Sequence, residues 1–556
     1  MCGIIGFLGL GGAVKEAIEG LEALEYRGYD SAGISFLKDG RVKTIKSVGN
    51  ISKLKEKVII EDAHIAIGHT RWATHGGVTE ANSHPHLSHD GRVIVVHNGI
   101  IENYKDLIDF PRKSETDTEV IPNLISKYMD KGLLVAVKEA SKHLRGSYAF
   151  LAMSPLEPNT LVATRFGRQP LVIGEGKDFI YVSSDLPTAR QKCHTIYVLE
   201  EGEFVSIADE KIDFGFEKEP LNLEIEIKPV TKEGYSTFME KEIFEIPSVI
   251  EKIIKNYENI IQGNEFKKLS RKIKNARTVH ITACGTAYHS GLVLAQLLES
   301  HQGVRTKTYI ASELPFADAF FEEGDLGVVI SQSGETADTL SAMQIFKEHG
   351  LPVAALCNVE GSSIARYCDF LLPTLAGTEI AVASTKAFIA QTIVATIVAR
   401  QGIPPKSLIS QAREVLIQAP RMKELAKEYR DIRSIFFLGK GLDATLALES
   451  ALKVKEITYK HCEGFPSGEL KHGTLALVDD QTLTIMLCTS NDEKLRAKQE
   501  NAKYEVKARG SHTEEFTADN FLVGAMHAQL FSLYLAQELG LNPDQPRNLA
   551  KSVTVE

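Results

Sequence analysis

Thr278-Val279-His280-Ile281-Thr282 runs into Ala283-Cys284-Gly285-Thr286-Ala287, and Ser434-Ile435-Phe436-Phe437-Leu438 runs into Gly439-Lys440-Gly441. Each is a short run of β-branched and aromatic residues that ends at a glycine turn and passes into a helical pattern. The succession continues in parallel. Gly327-Val328-Val329-Ile330 leads into Ser331-Gln332-Ser333-Gly334-Glu335-Thr336, and Leu483-Thr484-Ile485-Met486-Leu487 into Cys488-Thr489-Ser490-Asn491-Asp492. Strands that alternate with helices predict a parallel sheet covered on both faces, and the recurrence predicts a duplicated, doubly wound α/β arrangement.

The two copies differ in chemistry. In the first, Ser331, Ser333, Thr336 and Gly334 can aim hydroxyls and backbone N–H groups at an anion on a helix N-terminus, a phosphate cradle. A polar strand-to-helix loop with a serine cap accounts for the same residues without a ligand. In the second copy Asp492 and Glu493 occupy the comparable stretch and would repel a dianion, so one phosphate per chain is expected. Glu449, Lys453 and Glu456 fall at i, i+4 and i+7 on one face of a helix predicted to begin near Ala444, a pattern that commonly makes a solvated salt-bridged face. His472 lies in a glycine-bounded turn, Ser467 to Gly473, and the terminal stretch from Gln545 to Glu556 is too apolar and proline-marked to read as a frayed end.

Ahead of the duplicated half, residues 2 to about 215 alternate short strand-like runs (Ser147 to Met153, Thr160 to Thr164, Phe179 to Ser183) with helical patterns near Val14 to Leu24 and Asp117 to Tyr128, an α+β layout. The chain opens Met1-Cys2-Gly3-Ile4-Ile5-Gly6, so removal of Met1 would place a thiol and a free α-amine on one residue, a nucleophile with its own base. Two polar clusters follow apolar strands: His69-Thr70-Arg71-Trp72-Ala73-Thr74-His75-Gly76 and His97-Asn98-Gly99-Ile100-Ile101-Glu102-Asn103. The Asn98 side-chain amide and Gly99 N–H suit an oxyanion hole, Arg71 suits a carboxylate, and Asp117 suits an α-ammonium, which together describe glutamine. Each has a plainer reading: Asp117 as a helix cap with Thr116, His75 as a turn histidine, Asn98-Gly99 as a hairpin turn.

Composition bounds the rest. A chain of 556 residues exceeds one core. At 43% hydrophobic and 24% charged it is ordinary for a globular protein, and no apolar run approaches the length of a membrane helix. A net charge of −10 argues against nucleic acid as a partner. Seven scattered cysteines without a Cys-x-x-Cys pair suit a reducing compartment, and with no secretory signal the expected location is cytoplasmic; no metal and no cofactor is implied. The segment from Phe216 to Pro229 is densely charged and aperiodic, and reads as part of a linker. The expected layout is 2–215 for the amide-hydrolysing domain, 216–240 linker, 241–400 first α/β domain, 401–545 second, and 546–556 tail.

Cys2-Gly3-Ile4, Tyr26-Arg27-Gly28-Tyr29-Asp30-Ser31-Ala32-Gly33, the His69 and His97 clusters and Ser114-Glu115-Thr116-Asp117-Thr118-Glu119 occur in the order that makes this half resemble the N-terminal-nucleophile, class II glutamine amidotransferases, which implies a four-layer Ntn-hydrolase fold. The duplicated half resembles sugar isomerase (SIS) domains, and the whole resembles the isomerising amidotransferases that act on a ketose phosphate. That resemblance implies glutamine and fructose 6-phosphate as substrates and a homodimer. It carries over Arg71, Trp72, Thr74, His75 and Asp117 as glutamine-site residues. It likewise carries over Cys284, Gly285, Thr286, Ser331, Gln332, Ser333, Thr336, Ser384, Glu449 and Ala550 as sugar-phosphate-site residues. It implies Lys551 as the Schiff-base lysine, Glu456 as the C1–C2 proton shuttle, Lys453 beside it, and His472, from the neighbouring subunit, as the ring opener. Trp72, the single tryptophan, is the candidate gate of a closed ammonia passage, with core packing as the alternative. The chain departs from the family at Ala287, where a serine is common, in a short 509–522 segment and in a trimmed 103–114 segment. Rival readings are a sugar-phosphate isomerase or deaminase, or a sugar-phosphate sensor, each with a vestigial glutaminase domain.

Overall fold

The computed structural model describes residues 2–209, 211–221 and 231–553, which fall into two units, Met1–Pro229 with Ala550–Glu556, and Val230–Leu549. In the first unit the apolar N-terminal run becomes strand Gly3–Gly9, held inside a seven-stranded sheet between Phe179–Ser183 and Ile65–Arg71. Strand alternation sorts its side chains. Ile5 and Phe7 pack with helix Ala13–Ala23, while Ile4 and Leu8 pack against Val96, Leu151 and Leu161 of a second, six-stranded sheet. That second sheet includes Ile94–Gly99, Tyr148–Ser154 and Glu157–Phe166, and its other face takes helices Val120–Ser126 and Leu133–Ser141. The layers are helix, sheet, sheet, helix, and every strand pair described in both sheets is antiparallel.

In the second unit, strands Thr306–Ile310, Val279–Ala283, Leu326–Ser331, Val353–Cys357 and Phe370–Pro373 lie side by side in that order, all parallel. The duplicate sheet runs His461–Pro466, Ser434–Gly439, Thr482–Cys488, His512–Thr517, also all parallel. It has one strand fewer among the described residues, as the short 509–522 segment suggests. In both sheets the first strand in sequence has the second on one side and the third on the other. Its C-terminal end is therefore the switch point where crevices open. Helices Lys386–Arg400 and Phe521–Glu538 are buried on nearly every face and join one core that runs from Met239 to Ala536, so the two sheets share an interior. No helix among the described residues is long and apolar enough to cross a membrane.

The linker expected at 216–240 overlaps residues 222–230, which lie outside the described residues. Its last residues are instead helical: Phe238–Phe244 is a helix with Thr237 as its cap, because a Thr hydroxyl two or three residues ahead of free N–H groups starts a helix. The entry to the terminal stretch is anchored at Asp544 and Arg547. Asp544 accepts the backbone N–H groups of Phe238 and Met239, both at 2.8 Å, and the Arg547 guanidinium lies 4.2 Å above the Tyr459 ring. Asp544→Ala removes two charge-assisted bonds to a helix start. It should cost the second unit about 2 kcal/mol. This is read as a lowered midpoint in thermal unfolding of the full chain; an unchanged midpoint would contradict the anchoring.

Candidate active sites

The first site forms where Gly3–Gly9 begins. Cys2 is half-buried, and its Sγ accepts the Trp72 N–H at 3.3 Å. Burial pushes the Cys2 thiol above its ordinary value, against the pull of that N–H and of Arg71. Met1, whose removal would free the Cys2 amine, lies outside the described residues. Asn98 and Gly99 close strand Ile94–Gly99. Asn98 Nδ2 donates to the Cys2 carbonyl at 3.2 Å, and Gly99 has φ +113°, where a Cβ would come within 2.1 Å of the Ser147 carbonyl. Only glycine fits there. Asp117 opens a short 3₁₀ turn, is buried, and takes the Ile101 N–H at 2.7 Å. Asp117, Asn98 and Gly99 therefore belong to one scaffold with Cys2.

Arg71, the expected carboxylate residue, also braces its own loop. Its guanidinium is buried and donates to the carbonyls of His75 at 2.6 Å, Gly76 at 3.2 Å and Gly77 at 3.1 Å, tying down its own loop. Trp72 is half-buried with Tyr29 edge-on at 6.4 Å, Thr74 is exposed, and the His75 ring meets Tyr104 edge-on at 5.8 Å. Asp30 fixes the same segment by accepting the Ala73 N–H at 2.9 Å.

Directly behind Asn98 lie four buried histidines, His69, His84, His86 and His97; His69 and His97 open the two polar clusters seen in the sequence, but none of the four has a role there. The His69 and His84 rings stack at 3.9 Å. Burial drives His69 down to about 3 and His97 to about 4, and puts His84 and His86 well below the ordinary value. The ring neighbours and Arg71 add to the repulsion of charge for His69, His84 and His86, so the group is neutral. The available signal was the recurrence of His at the ends of neighbouring strands, which looks like any other polar strand end.

In the second unit the helix Leu442–Thr458 carries Glu449, Lys453 and Glu456, and it is not the solvated face that such a triplet usually makes. Glu449 and Lys453 are fully buried. Lys453 Nζ lies 3.3 Å from Glu449 Oε1 and 2.7 Å from Glu456 Oε2, and donates to the Thr286 hydroxyl at 2.9 Å. Burial works against the Lys453 charge, but the two carboxylates outweigh it and hold the ammonium above its ordinary value. Thr286 in turn donates to Glu449 at 3.1 Å, and His289 Nδ1 lies 2.7 Å from the other Glu449 oxygen. His289 escaped the sequence reading, although its i+3 spacing from Thr286 puts both on one helix face.

Cys284 and Gly285 start the helix Gly285–Gln302 at the switch point, and the Ser331 loop follows the adjacent strand. Ser331 Oγ accepts the Gly334 N–H at 2.9 Å and lies 3.4 Å from the Thr336 hydroxyl, while Ser333 accepts the Glu335 N–H at 3.2 Å. Gly334 has φ +68°, and a Cβ there would collide with Ser362 at 1.8 Å, so the loop can fold back only at glycine. Gln332 is half-buried beside them. Ser384 precedes Thr385 and helix Lys386–Arg400, whose first N–H groups are taken by Glu379 at 2.9 and 3.0 Å. The second copy's cradle is filled from within: Asp443 accepts the Thr489 N–H at 3.0 Å and its hydroxyl, and Asp492 caps helix Glu493–Lys507. His472 is exposed in a 3₁₀ turn of this unit, whereas Ala550 and Lys551 group with the first unit. Among the described residues no cluster suited to a metal is present.

A family model described as a glutamine amidotransferase domain matches residues 69–191, and one described as an SIS domain matches residues 272–400 and again 428–520. The glutamine–fructose-6-phosphate aminotransferase (isomerising) of Clostridium tetani is 40% identical over 614 aligned positions, and that of Aquifex aeolicus 38% over 605. Both alignments cover all of this chain and all of the relative. The C-terminal domain of glucosamine-fructose-6-phosphate aminotransferase from Francisella tularensis superposes with a TM-score of 0.51 at 31% identity, covering 57% of this chain and all of that one. Tagatose-6-phosphate ketose/aldose isomerase from Escherichia coli is alike in fold, with a TM-score of 0.50 at 18% identity over 56% of this chain and 96% of that one.

The histidine pack makes a signed pH prediction. His86 folds with its pKa depressed below the ordinary 6.5, so the unfolded chain binds the extra proton first. Its contribution to stability is complete above pH 6.5 and is lost as pH falls toward the folded value. The unfolding free energy of the first unit should therefore drop from pH 7.5 to pH 5, and His86→Gln, which keeps a partner for the Thr116 hydroxyl 3.2 Å away, should flatten that slope by about one proton. A slope unaffected by His86→Gln would contradict the neutral pack.

Proposed function

The chain belongs to the glutamine–fructose-6-phosphate aminotransferase (isomerising) family, and from that premise we propose how its residues divide the work. The enzyme takes nitrogen from glutamine and delivers it to fructose 6-phosphate with ketose-to-aldose isomerisation, giving glutamate and glucosamine 6-phosphate. The single observation that carries the residue assignment is Cys2 held by the Trp72 N–H beside an Asn98 amide, in a chain whose relatives match over their whole length.

Cys2 attacks the glutamine side-chain amide after its thiol proton passes to its own α-amine, once Met1 is removed. The oxyanion meets Asn98 Nδ2 and the Gly99 N–H; ammonia leaves, and water releases glutamate from the thioester. Asp117 pairs with the substrate ammonium. Arg71, Trp72, Thr74 and His75 frame the carboxylate end, Arg71 acting largely by holding the His75 to Gly77 carbonyls that shape the loop.

In the second unit Ser331, Gln332, Ser333, Thr336 and Ser384 bind the sugar phosphate at the switch point, with Cys284 and Gly285 bordering it. Thr286 has its hydroxyl committed to Glu449 and Lys453, so it links the cradle to the proton-transfer helix. Lys551 condenses with the C2 carbonyl and expels water; ammonia displaces the lysine, and Glu456 moves a proton from C1 to C2 to leave the amino aldose. Lys453 holds Glu456 in place by its 2.7 Å ion pair. Ala550 positions Lys551, and His472 opens the sugar ring from a second copy in a homodimer. The site needs no metal or cofactor for these steps, and glutamine and fructose 6-phosphate account for both.

Incubation with glutamine and fructose 6-phosphate should yield glutamate and glucosamine 6-phosphate in equal amounts, with both lost in Cys2→Ala. Glutamate without amino sugar, or amino sugar from glutamine in Cys2→Ala, would contradict the assignment.

A further inference from the structure

His69 stands on strand Ile65–Arg71, one layer behind the Asn98 amide. Its Nε2 lies 2.9 Å from the His97 carbonyl and 3.2 Å from Asn98 Oδ1. A carbonyl only accepts, so Nε2 carries the proton. The atom of Asn98 facing it must then be the oxygen. The other end of the amide gives the same answer independently, because the Cys2 carbonyl 3.2 Å away requires the NH2 group. A flipped amide would set N–H against N–H at His69 and oxygen against oxygen at Cys2.

The tautomer of His84 is determined as well. The His97 N–H donates to His84 Nδ1 at 3.3 Å, so His84 carries its proton on Nε2 and gives it to the Thr118 hydroxyl at 3.3 Å. The Thr118 hydroxyl also lies 2.8 Å from His97 Nδ1. His69 Nδ1 and His97 Nε2 are buried without a hydrogen-bond partner, and His69 lies flat on His84 at 3.9 Å. Thr118 adjoins Asp117, so one chain of neutral rings runs from the ammonium-binding loop to the Asn98 amide.

We propose that His69 is a positioning residue for glutamine hydrolysis: its Nε2–H fixes the Asn98 amide with Nδ2 toward Cys2, leaving the second Nδ2 hydrogen for the oxyanion. This rests on the reading of Asn98 as an oxyanion donor. His69 touches neither substrate nor Cys2 and acts only through Asn98.

His69→Phe keeps a stacked ring and removes the donor. It should lower kcat for glutamine hydrolysis about 100-fold, the scale of one lost oxyanion donor. KM for glutamine and the rate of Cys2 alkylation by iodoacetamide should change by less than about threefold, well below that effect. Solvent exchange of the fructose 6-phosphate C1 hydrogen, a readout of the second unit, should be unchanged. His69→Gln, which restores an N–H, should regain about tenfold of the loss. Asn98→Ala should match His69→Phe, and the double variant should be no worse than Asn98→Ala, since both remove one interaction. A His69→Phe variant that hydrolyses glutamine normally while Asn98→Ala does not, or one whose KM and alkylation fall along with kcat, overturns the positioning role. A fully active Asn98→Ala overturns the reading of Asn98 on which it rests.

Discussion

A protonated amine lies wholly out of water at Lys453, and the arrangement of the second unit follows from having to satisfy it. An unpaired buried ammonium costs several kcal/mol, and removing one partner of a buried pair typically costs 3–5 kcal/mol (about that scale for any protein interior). Two carboxylates and a hydroxyl meet it here, at 3.3, 2.7 and 2.9 Å. The hydroxyl, Thr286, comes from the first repeat, and the carboxylates come from the second. His289, also from the first repeat, holds the far oxygen of Glu449. Neither repeat completes this cluster alone, which gives a physical reason for the shared core and for the duplicate to keep its helix after its own cradle has been filled by Asp443.

The two sites solve opposite electrostatic problems. The second unit concentrates charge and orders it so that Glu456 is fixed by a cation at 2.7 Å. The first unit does the reverse behind Asn98, where four histidines are kept neutral by burial and mutual repulsion. An oxyanion hole depends on donors aimed before charge develops. A neutral His69 held in one tautomer orients an amide without adding a charge that would compete for the oxyanion.

Much of the fold was legible because its periodicities are clean. Ser147 to Met153 and Phe179 to Ser183 read as strands, and Val279 to Thr282 and Ser434 to Leu438 read as parallel strands because each passes through a glycine turn into a helical pattern. Cys2, Asn98, Gly99 and Asp117, grouped from sequence by what amide hydrolysis would need, lie on one scaffold. The helix at Phe238–Phe244 was missed, since the charged stretch ahead of it masks its threonine cap. The burial of Glu449 and Lys453 was not legible, because an i, i+4 pair has the same spacing whether it faces water or the other repeat. His69 and His289 share that limitation: each acts through a partner distant in sequence, 29 residues away for Asn98 and 160 for Glu449. Arg71 carries a structural task that its sequence context did not reveal, the bonds to the His75 to Gly77 carbonyls.

The most direct test of this account is Glu449→Gln, an isosteric change that leaves Lys453 buried with one fewer carboxylate. The account predicts that chemical denaturation of the full chain will show the Val230–Leu549 unit losing about 3–5 kcal/mol of stability. Exchange of the fructose 6-phosphate C1 hydrogen should fall by about 100-fold, within the range of a misplaced general base. A Glu449→Gln enzyme as stable as the parent and exchanging that hydrogen at the parent rate would contradict it.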